Sequence, residues 1–242
     1  MSWLRCPTPR PWATTRLVCF PHAGGSAVAY RSWSVSPAVE VHAVQYPGRA
    51  DRMADPLPTG IMQTARMAAA SLAPLQDRPM ALFGHSMGAL VAFETARILT
   101  EKGSPPVHLF VSAGLPAHKW AGRRTVPIND DAALVQELLS LGGSDADAMA
   151  DPELRELVLP YIRADFQMLQ DYRHTPGAPL TSPVTAMTGE GDPHVPVEIA
   201  AHWAELTTGP FELRSFSGDH FYLVERRDEV LAEIMKALNV PL

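Results

Sequence analysis

Cysteine is nearly absent from this chain: 242 residues carry only Cys6 and Cys19. Two cysteines, one in a Pro-rich start and one inside an apolar run, make no disulfide framework, and Cys19 reads as a buried, unpaired thiol. No apolar run reaches the ~18 residues that span a membrane. The opening residues, MSWLRCPTPRPWATT, lack the apolar centre of a secretory signal. A cytoplasmic location is the expectation that follows. Positive charge is also short, with 20 Lys and Arg against 26 Asp and Glu and a formal charge of −6. The basic residues are dispersed, so the footprint of a nucleic-acid binder is missing. An acidic substrate would need local basic groups to attract it.

What is present suits a soluble domain. Apolar residues make up 46% of the chain and charged ones 19%, ordinary values for a globular protein. The length allows one well-developed core. Proline is frequent, at 23 residues, and recurs between apolar runs as turn punctuation.

Short β-prone runs alternate with helical patterns, the signature of a mainly parallel sheet flanked by helices. The expected strands are Arg16–Phe20, Val39–Tyr46, Met80–Phe83, Val107–Ser112, Val184–Thr188 and Phe211–Phe216. Several are almost continuously apolar, as strands covered on both faces are. Helices are expected at Thr59–Ala73, Met87–Lys102, Val197–Thr207 and Asp228–Leu238. From about 115 to 180 the alternation breaks, with helical patterns at Ala132–Leu139 and Asp151–Tyr172 around a Gly, Asp and Ala-rich hinge, GGSDADAMADP. This segment reads as a helical lid inserted over the sheet's C-terminal edge, within a single domain spanning 1–242.

The strongest chemical signal is Gly84-His85-Ser86-Met87-Gly88. G-x-S-x-G alone arises by chance, but here it joins the strand MALF to the helical run MGALVAFETARIL. A sharp strand-to-helix turn forces its central residue into strain and exposes it, with glycines relieving the crowding. Ser86 is therefore the candidate nucleophile, and the helix N-terminus beneath it favours developing negative charge.

A serine needs a positioned base, and in this architecture the chain order is Ser, acid, His. His220, in SGDHFYL after the last strand, is the candidate base. Asp192, in TGEGDPHVP, is the candidate acid, with Asp219 and Glu190 as rivals. His85 reads as a packing or orienting residue and His194 as a solvated loop residue. His42, His108, His118, His174 and His202 carry no metal-ligand spacing. The run Phe20-Pro21-His22-Ala23-Gly24-Gly25-Ser26 follows an early strand, where the second donor of an oxyanion hole arises. Ala23 N–H and Met87 N–H are the expected pair.

Taken together, PHAGGS, YPGR at Tyr46–Arg49, GHSMGALVAFE, ADFQMLQDYRH followed by PLTSPV, and GDHFYL resemble the type II thioesterases. These are stand-alone editing enzymes of polyketide and nonribosomal peptide synthases, in the α/β-hydrolase superfamily. The resemblance runs from about Arg16 to Leu238. It implies Ser86, Asp192 and His220 as a triad, with hydrolysis of acyl groups from the phosphopantetheine arm of acyl or peptidyl carrier proteins in transient encounters. It implies no metal or organic cofactor. Tyr222 stands where Phe is common, which leaves every role in place. A monomer is expected.

Lys119, Arg123 and Arg124 in KWAGRR read first as a solvated basic surface and second as a landing site for an acidic carrier or the arm's phosphate. Rival functions are a carboxylesterase or lipase acting on free esters, an acyltransferase, and a binding module that retains the fold without catalysis.

Overall fold

The computed structural model describes residues 2–120, 126–142 and 151–241. Its centre is a seven-stranded sheet of β1 (Leu4–Arg5), β2 (Thr15–Phe20), β3 (Val39–Val44), β4 (Met80–His85), β5 (His108–Ser112), β6 (Val184–Gly189) and β7 (Phe211–Phe216). The spatial order is β1-β3-β2-β4-β5-β6-β7. Every pairing is parallel except β1 with β3, which is antiparallel.

The strands explain their own composition. Along β2, Val18 and Phe20 enter one apolar cluster while Leu17 and Cys19 enter the other. On β4, Leu82 faces the first cluster, and Ala81 and Phe83 face the second. A strand with apolar neighbours on both faces has no polar side to show, so its sequence loses the period-2 alternation. Cys19 is buried and unbridged, as expected.

Four of the expected helices are present with shifted ends: α1 (Ile61–Ser71) and α2 (Met87–Glu101), then α3 (Asp131–Leu141) and α4 (Pro152–Asp171). Asp130 caps α3 by accepting the N–H groups of Ala132 and Ala133, and Asp151 caps α4 through those of Glu153 and Leu154. Such caps satisfy donors that no helical carbonyl can reach. Leu134 of α3 and Leu159, Ile162, Phe166 and Met168 of α4 join the cluster that contains Ala23 and Met87. The 131–171 helices thus share the core beneath the loops that follow β2 and β4. Most of the GGSDADAMADP hinge lies outside the described residues, as do Arg123 and Arg124.

One expectation needs correction, and two short elements were not expected. The Pro-rich start contributes a short strand, because Leu4 and Arg5 pair with Val44 and Ala43. Two residues are too short to carry a periodic signal, and only the open edge of β3 makes them a strand. Val197–Thr207 is not one α-helix: it is α5 (Val197–Ala200) followed by a 3-10 turn at Ala201–Leu206. The final helix is preceded by a separate short one, α6 (Tyr222–Glu225), before α7 (Arg227–Ala237).

Candidate active site

The turn from β4 into α2 holds Ser86 at φ 54°, ψ −118°, a left-handed region that costs a non-glycine residue roughly 1–3 kcal/mol. Its neighbours leave no alternative. A Cβ on Gly84 would lie 2.1 Å from the Gly88 carbonyl oxygen, and one on Gly88 would lie 2.0 Å from the Phe20 carbonyl oxygen. Strand, turn and helix therefore pack backbone to backbone, and the Ser86 N–H is tied to the Ser112 carbonyl at 2.8 Å. Ser86 is half-buried while the residues around it are buried.

The loop after β7 brings His220, the expected base. Gly218 takes φ +129°, and a Cβ on Gly189 at the end of β6 would lie 2.1 Å from the Asp219 carbonyl oxygen, so this loop lies against the sheet's C-terminal edge. His220 Nε2 is 2.9 Å from Ser86 Oγ, and its Nδ1 is 2.8 Å from Asp192 Oδ2. The other oxygen, Asp192 Oδ1, accepts the N–H groups of His194 and Val195 at 2.8 and 3.2 Å. Burial works to raise the Asp192 pKa, but the hydrogen bond and charge of His220 with the two backbone donors hold it below the ordinary value. The two rival carboxylates are engaged elsewhere. Asp219 Oδ1 accepts the Phe221 N–H at 2.9 Å, and the exposed Glu190 accepts from Ser215 Oγ at 3.3 Å.

The 20–26 loop lies across the top of β2, pinned by its carbonyls. Tyr30 OH donates to Phe20 O at 2.9 Å and Tyr46 OH to Pro21 O at 3.3 Å. Gly24 N–H donates to Asp165 Oδ2 at 2.8 Å and Gly25 N–H to His22 O at 3.0 Å. With those two donors engaged within the protein, the N–H groups left between them and the strand belong to His22 and Ala23, Pro21 having none, and Ala23 is the one expected as a donor. Met87 is the first residue of α2, where the N–H has no carbonyl one turn back.

Histidines gather around His220. The His85 ring stands 5.3 Å from that of His220, and His85 Nδ1 is 2.9 Å from Ser112 Oγ. Burial drives the His85 pKa well below its ordinary value, with His220 and His22 adding to the effect. Burial likewise takes His22 down to about 4. Both rings are therefore neutral at neutral pH, in keeping with a packing role for His85. His194 is not the solvated residue expected: it is half-buried, its ring 5.8 Å edge-on to His220.

Three further contacts escape a reading of single motifs. Tyr222 OH bonds Ser112 Oγ at 2.7 Å, completing a buried line His85–Ser112–Tyr222 behind the base. Tyr172 OH donates to Glu94 Oε1 at 2.5 Å, joining the end of α4 to α2. Arg49 forms a fork with Asp165 at 2.5 and 2.7 Å, both side chains buried. YPGR contains Arg49, and ADFQMLQDYRH contains Asp165 and Tyr172, but no spacing rule pairs one motif with the other. Lys119 is half-exposed and faces Glu205 at 3.9 Å, so its charge is partly answered within the chain.

Among the described residues, Cys6, Glu40 and His42 group closely enough to hold a metal ion, far along the sheet edge from Ser86. Glu40 is already engaged by Arg16, His42 and the Arg10 N–H, which leaves it little to offer an ion.

Ser86 Oγ, His220 and Asp192 thus stand in one hydrogen-bonded line, the geometry that a serine nucleophile, a base and an acid require. Comparison with known proteins decides the family: the model of the Thioesterase domain matches residues 15–238. The chain belongs to the thioesterase family. This thioesterase is 44% identical over 242 residues to thioesterase PikA5 of Streptomyces venezuelae, covering 98% of this chain and 86% of that protein. It is 36% identical to the gramicidin S biosynthesis protein GrsT of Aneurinibacillus migulanus, over 95% and 91% of the two chains. Among solved structures, the type II thioesterase BorB from the borrelidin biosynthetic cluster superposes with a TM-score of 0.87 at 39% identity, over 98% of this chain and 97% of the other. The resemblance read from the motifs and the α/β-hydrolase fold are both borne out.

Proposed function

We propose that this thioesterase hydrolyses acyl groups from phosphopantetheinyl carrier proteins through an acyl-enzyme on Ser86, clearing stalled polyketide or nonribosomal peptide synthases. The observation that carries the reading is the unbroken line Ser86 Oγ–His220–Asp192, with hydrogen bonds of 2.9 and 2.8 Å, on a chain of this family. The carrier-bound substrate is supported by the relatives, whose names place one in gramicidin S biosynthesis and another, a type II thioesterase, in the borrelidin biosynthetic cluster.

In this mechanism Ser86 Oγ attacks the thioester carbonyl as His220 Nε2 takes its proton. Asp192 holds the imidazole tautomer and stabilises the imidazolium. The N–H groups of Ala23 and Met87 receive the oxyanion, each worth about 10²–10³ in rate. The pantetheine thiol, with a pKa near that of cysteine at about 8.5, leaves as the carbonyl re-forms and takes the proton from His220. Water then attacks the acyl-enzyme with His220 again as base, and the free acid departs. The residues that hold and move charge are all side chains and N–H groups of this chain, so no cofactor enters the scheme. We extend the reading to a cytoplasmic enzyme that meets its carrier transiently.

The test compares propionyl-loaded carrier protein with p-nitrophenyl propionate, for wild type and Ser86→Ala. Faster turnover of the carrier thioester, lost by about 10⁶-fold in the variant, is expected. Preference for the free ester would leave an esterase, and turnover that survives Ser86→Ala would end the reading.

A further inference from the structure

The 20–26 loop is held from below by the sheet, but at its glycines it is held from α4. Asp165 is fully buried on that helix. Its Oδ2 accepts the Gly24 N–H at 2.8 Å and Arg49 Nη1 at 2.5 Å, and its Oδ1 accepts Arg49 Nη2 at 2.7 Å. Arg49 Nη1 reaches on to the Gly25 carbonyl at 3.3 Å. The guanidinium lies over the rings of Tyr46, at 5.3 Å, and Tyr161, at 4.9 Å, so three elements converge on one ion pair.

Gly24 has φ +80°, and a Cβ there would lie 3.1 Å from Ile162 of α4. A glycine can take either sign of φ at little cost. Nothing in the loop itself therefore stops the Ala23–Gly24 peptide from rotating and swinging the Ala23 carbonyl toward the place where negative charge develops. The bond from Gly24 N–H to Asp165 is what opposes that rotation. A buried carboxylate would be costly there alone, and the two-pronged Arg49 contact makes it tolerable.

We propose that Asp165, fixed by Arg49, is the positioning residue of the oxyanion loop, so that acyl transfer is fast only while α4 is seated against Gly24. The inference rests on the reading of Ser86 as nucleophile and Ala23 as an oxyanion donor. It makes the helical segment over the site a part of the catalytic geometry. Departure of α4 removes the acceptor of the Gly24 N–H and loosens the Ala23 donor in the same motion.

Two double variants separate positioning from packing. Arg49→Met/Asp165→Asn and Arg49→Met/Asp165→Leu both remove the ion pair, but only the first keeps an acceptor for the Gly24 N–H. Each is assayed with propionyl-N-acetylcysteamine, alongside Tm and the affinity of a boronic acid that forms a tetrahedral anion on serine. The Leu variant is expected to lose about 10²–10³-fold in kcat, the worth of one oxyanion donor, with KM little changed and boronate affinity falling in parallel. The Asn variant stays within about tenfold of wild type, on the same reasoning. Equal kcat in the two variants, or losses that follow Tm and not the acceptor, would overturn the proposal.

If the Leu variant does not fold, the wild-type protein gives the answer. Exchange of the Gly24 amide hydrogen should slow when boronate saturates the site, and an unchanged rate counts against the role. Ser86→Ala run beside these keeps the two ideas apart. Full turnover in that variant defeats the active-site reading, whereas full kcat in the Leu double variant of a Ser86-dependent enzyme defeats only the role of Asp165.

Discussion

Asp192 meets His220 through one oxygen and the backbone of its own loop through the other: Oδ2 lies 2.8 Å from His220 Nδ1, while Oδ1 takes the N–H groups of His194 and Val195. The carboxylate is thus oriented before the imidazole arrives, and both its oxygens are satisfied. Asp192→Asn keeps the shape but presents an amide to Nδ1, which favours the wrong tautomer. A fall in kcat of about 10⁴-fold is expected, with KM nearly unchanged. A steady-state comparison on an acyl thioester reads it, and retention of more than a tenth of the activity would transfer the acid role elsewhere.

The glycines flanking Ser86 admit no side chain. A Cβ on Gly88 would meet the Phe20 carbonyl oxygen at 2.0 Å, and backbone on both sides cannot give way as a flexible side chain does. Overpacking of a core usually costs about 1–3 kcal/mol, and here both partners are backbone. Gly88→Ala should therefore lower Tm by several degrees and remove activity, because relief must come from moving the β4–α2 turn. Thermal unfolding of the purified variant checks this, and a Tm at the wild-type value would contradict the close approach.

Tyr222 has a partner that its apolar surroundings conceal. Its OH is 2.7 Å from Ser112 Oγ, which also bonds His85. Tyr222→Phe removes one buried hydrogen bond, worth about 1 kcal/mol, and should lower Tm by roughly 2–4 °C in a chain of this size. Ser112 keeps His85 as partner, so kcat should stay within about threefold of wild type, less than 1 kcal/mol of barrier. A larger kinetic loss would show that the line behind the base also positions it.

Stability should fall as the solution is acidified from about pH 6.5 toward 4. Burial takes His22 and His108 down to about 4 and drives His85 well below its ordinary value. Between those values and the ordinary pKa near 6.5 the unfolded chain binds more protons, so unfolding free energy rises with pH. The stabilisation is complete above the unfolded value and is lost as pH drops through the window. Each such histidine contributes a slope of up to about 1.4 kcal/mol per pH unit. His108 lies on β5, its Nε2 2.8 Å from Thr185 Oγ1. His108→Gln should flatten the dependence without changing kcat, as urea unfolding at pH 7, 6 and 5 would show. An unchanged slope would place the acid sensitivity in other groups.

Much of this protein was legible because its chemistry is carried by short segments. The strand MALF, the glycines at 84 and 88 and the apolar run after Met87 specify a tight strand-to-helix turn by sterics alone, and Ser86 lies at its centre. The order of Ser86, Asp192 and His220 follows from strands that end at one edge of a parallel sheet, so their loops share a side. The helices were legible for the same local reason, except where a few residues form an element only against a neighbour. Leu4–Arg5 needs the edge of β3, and Tyr222–Glu225 is a single turn.

The choice of Asp192 over Asp219 and Glu190 was a matter of direction, which a sequence does not carry. Asp219 adjoins the base along the chain, yet its side chain caps its own loop. The pairing of Arg49 with Asp165 spans 116 positions, and each residue alone looks like a solvated charge. Burial in the fold makes them partners, since a charge withdrawn from water must find its opposite nearby. The sequence by itself determined the strand-to-helix turn that presents Ser86 and the chain of strands whose loops carry Asp192 and His220. Tertiary packing decided which carboxylate faces His220 and which helix holds the loop after β2, because those depend on where side chains meet across the fold and not on their order along it.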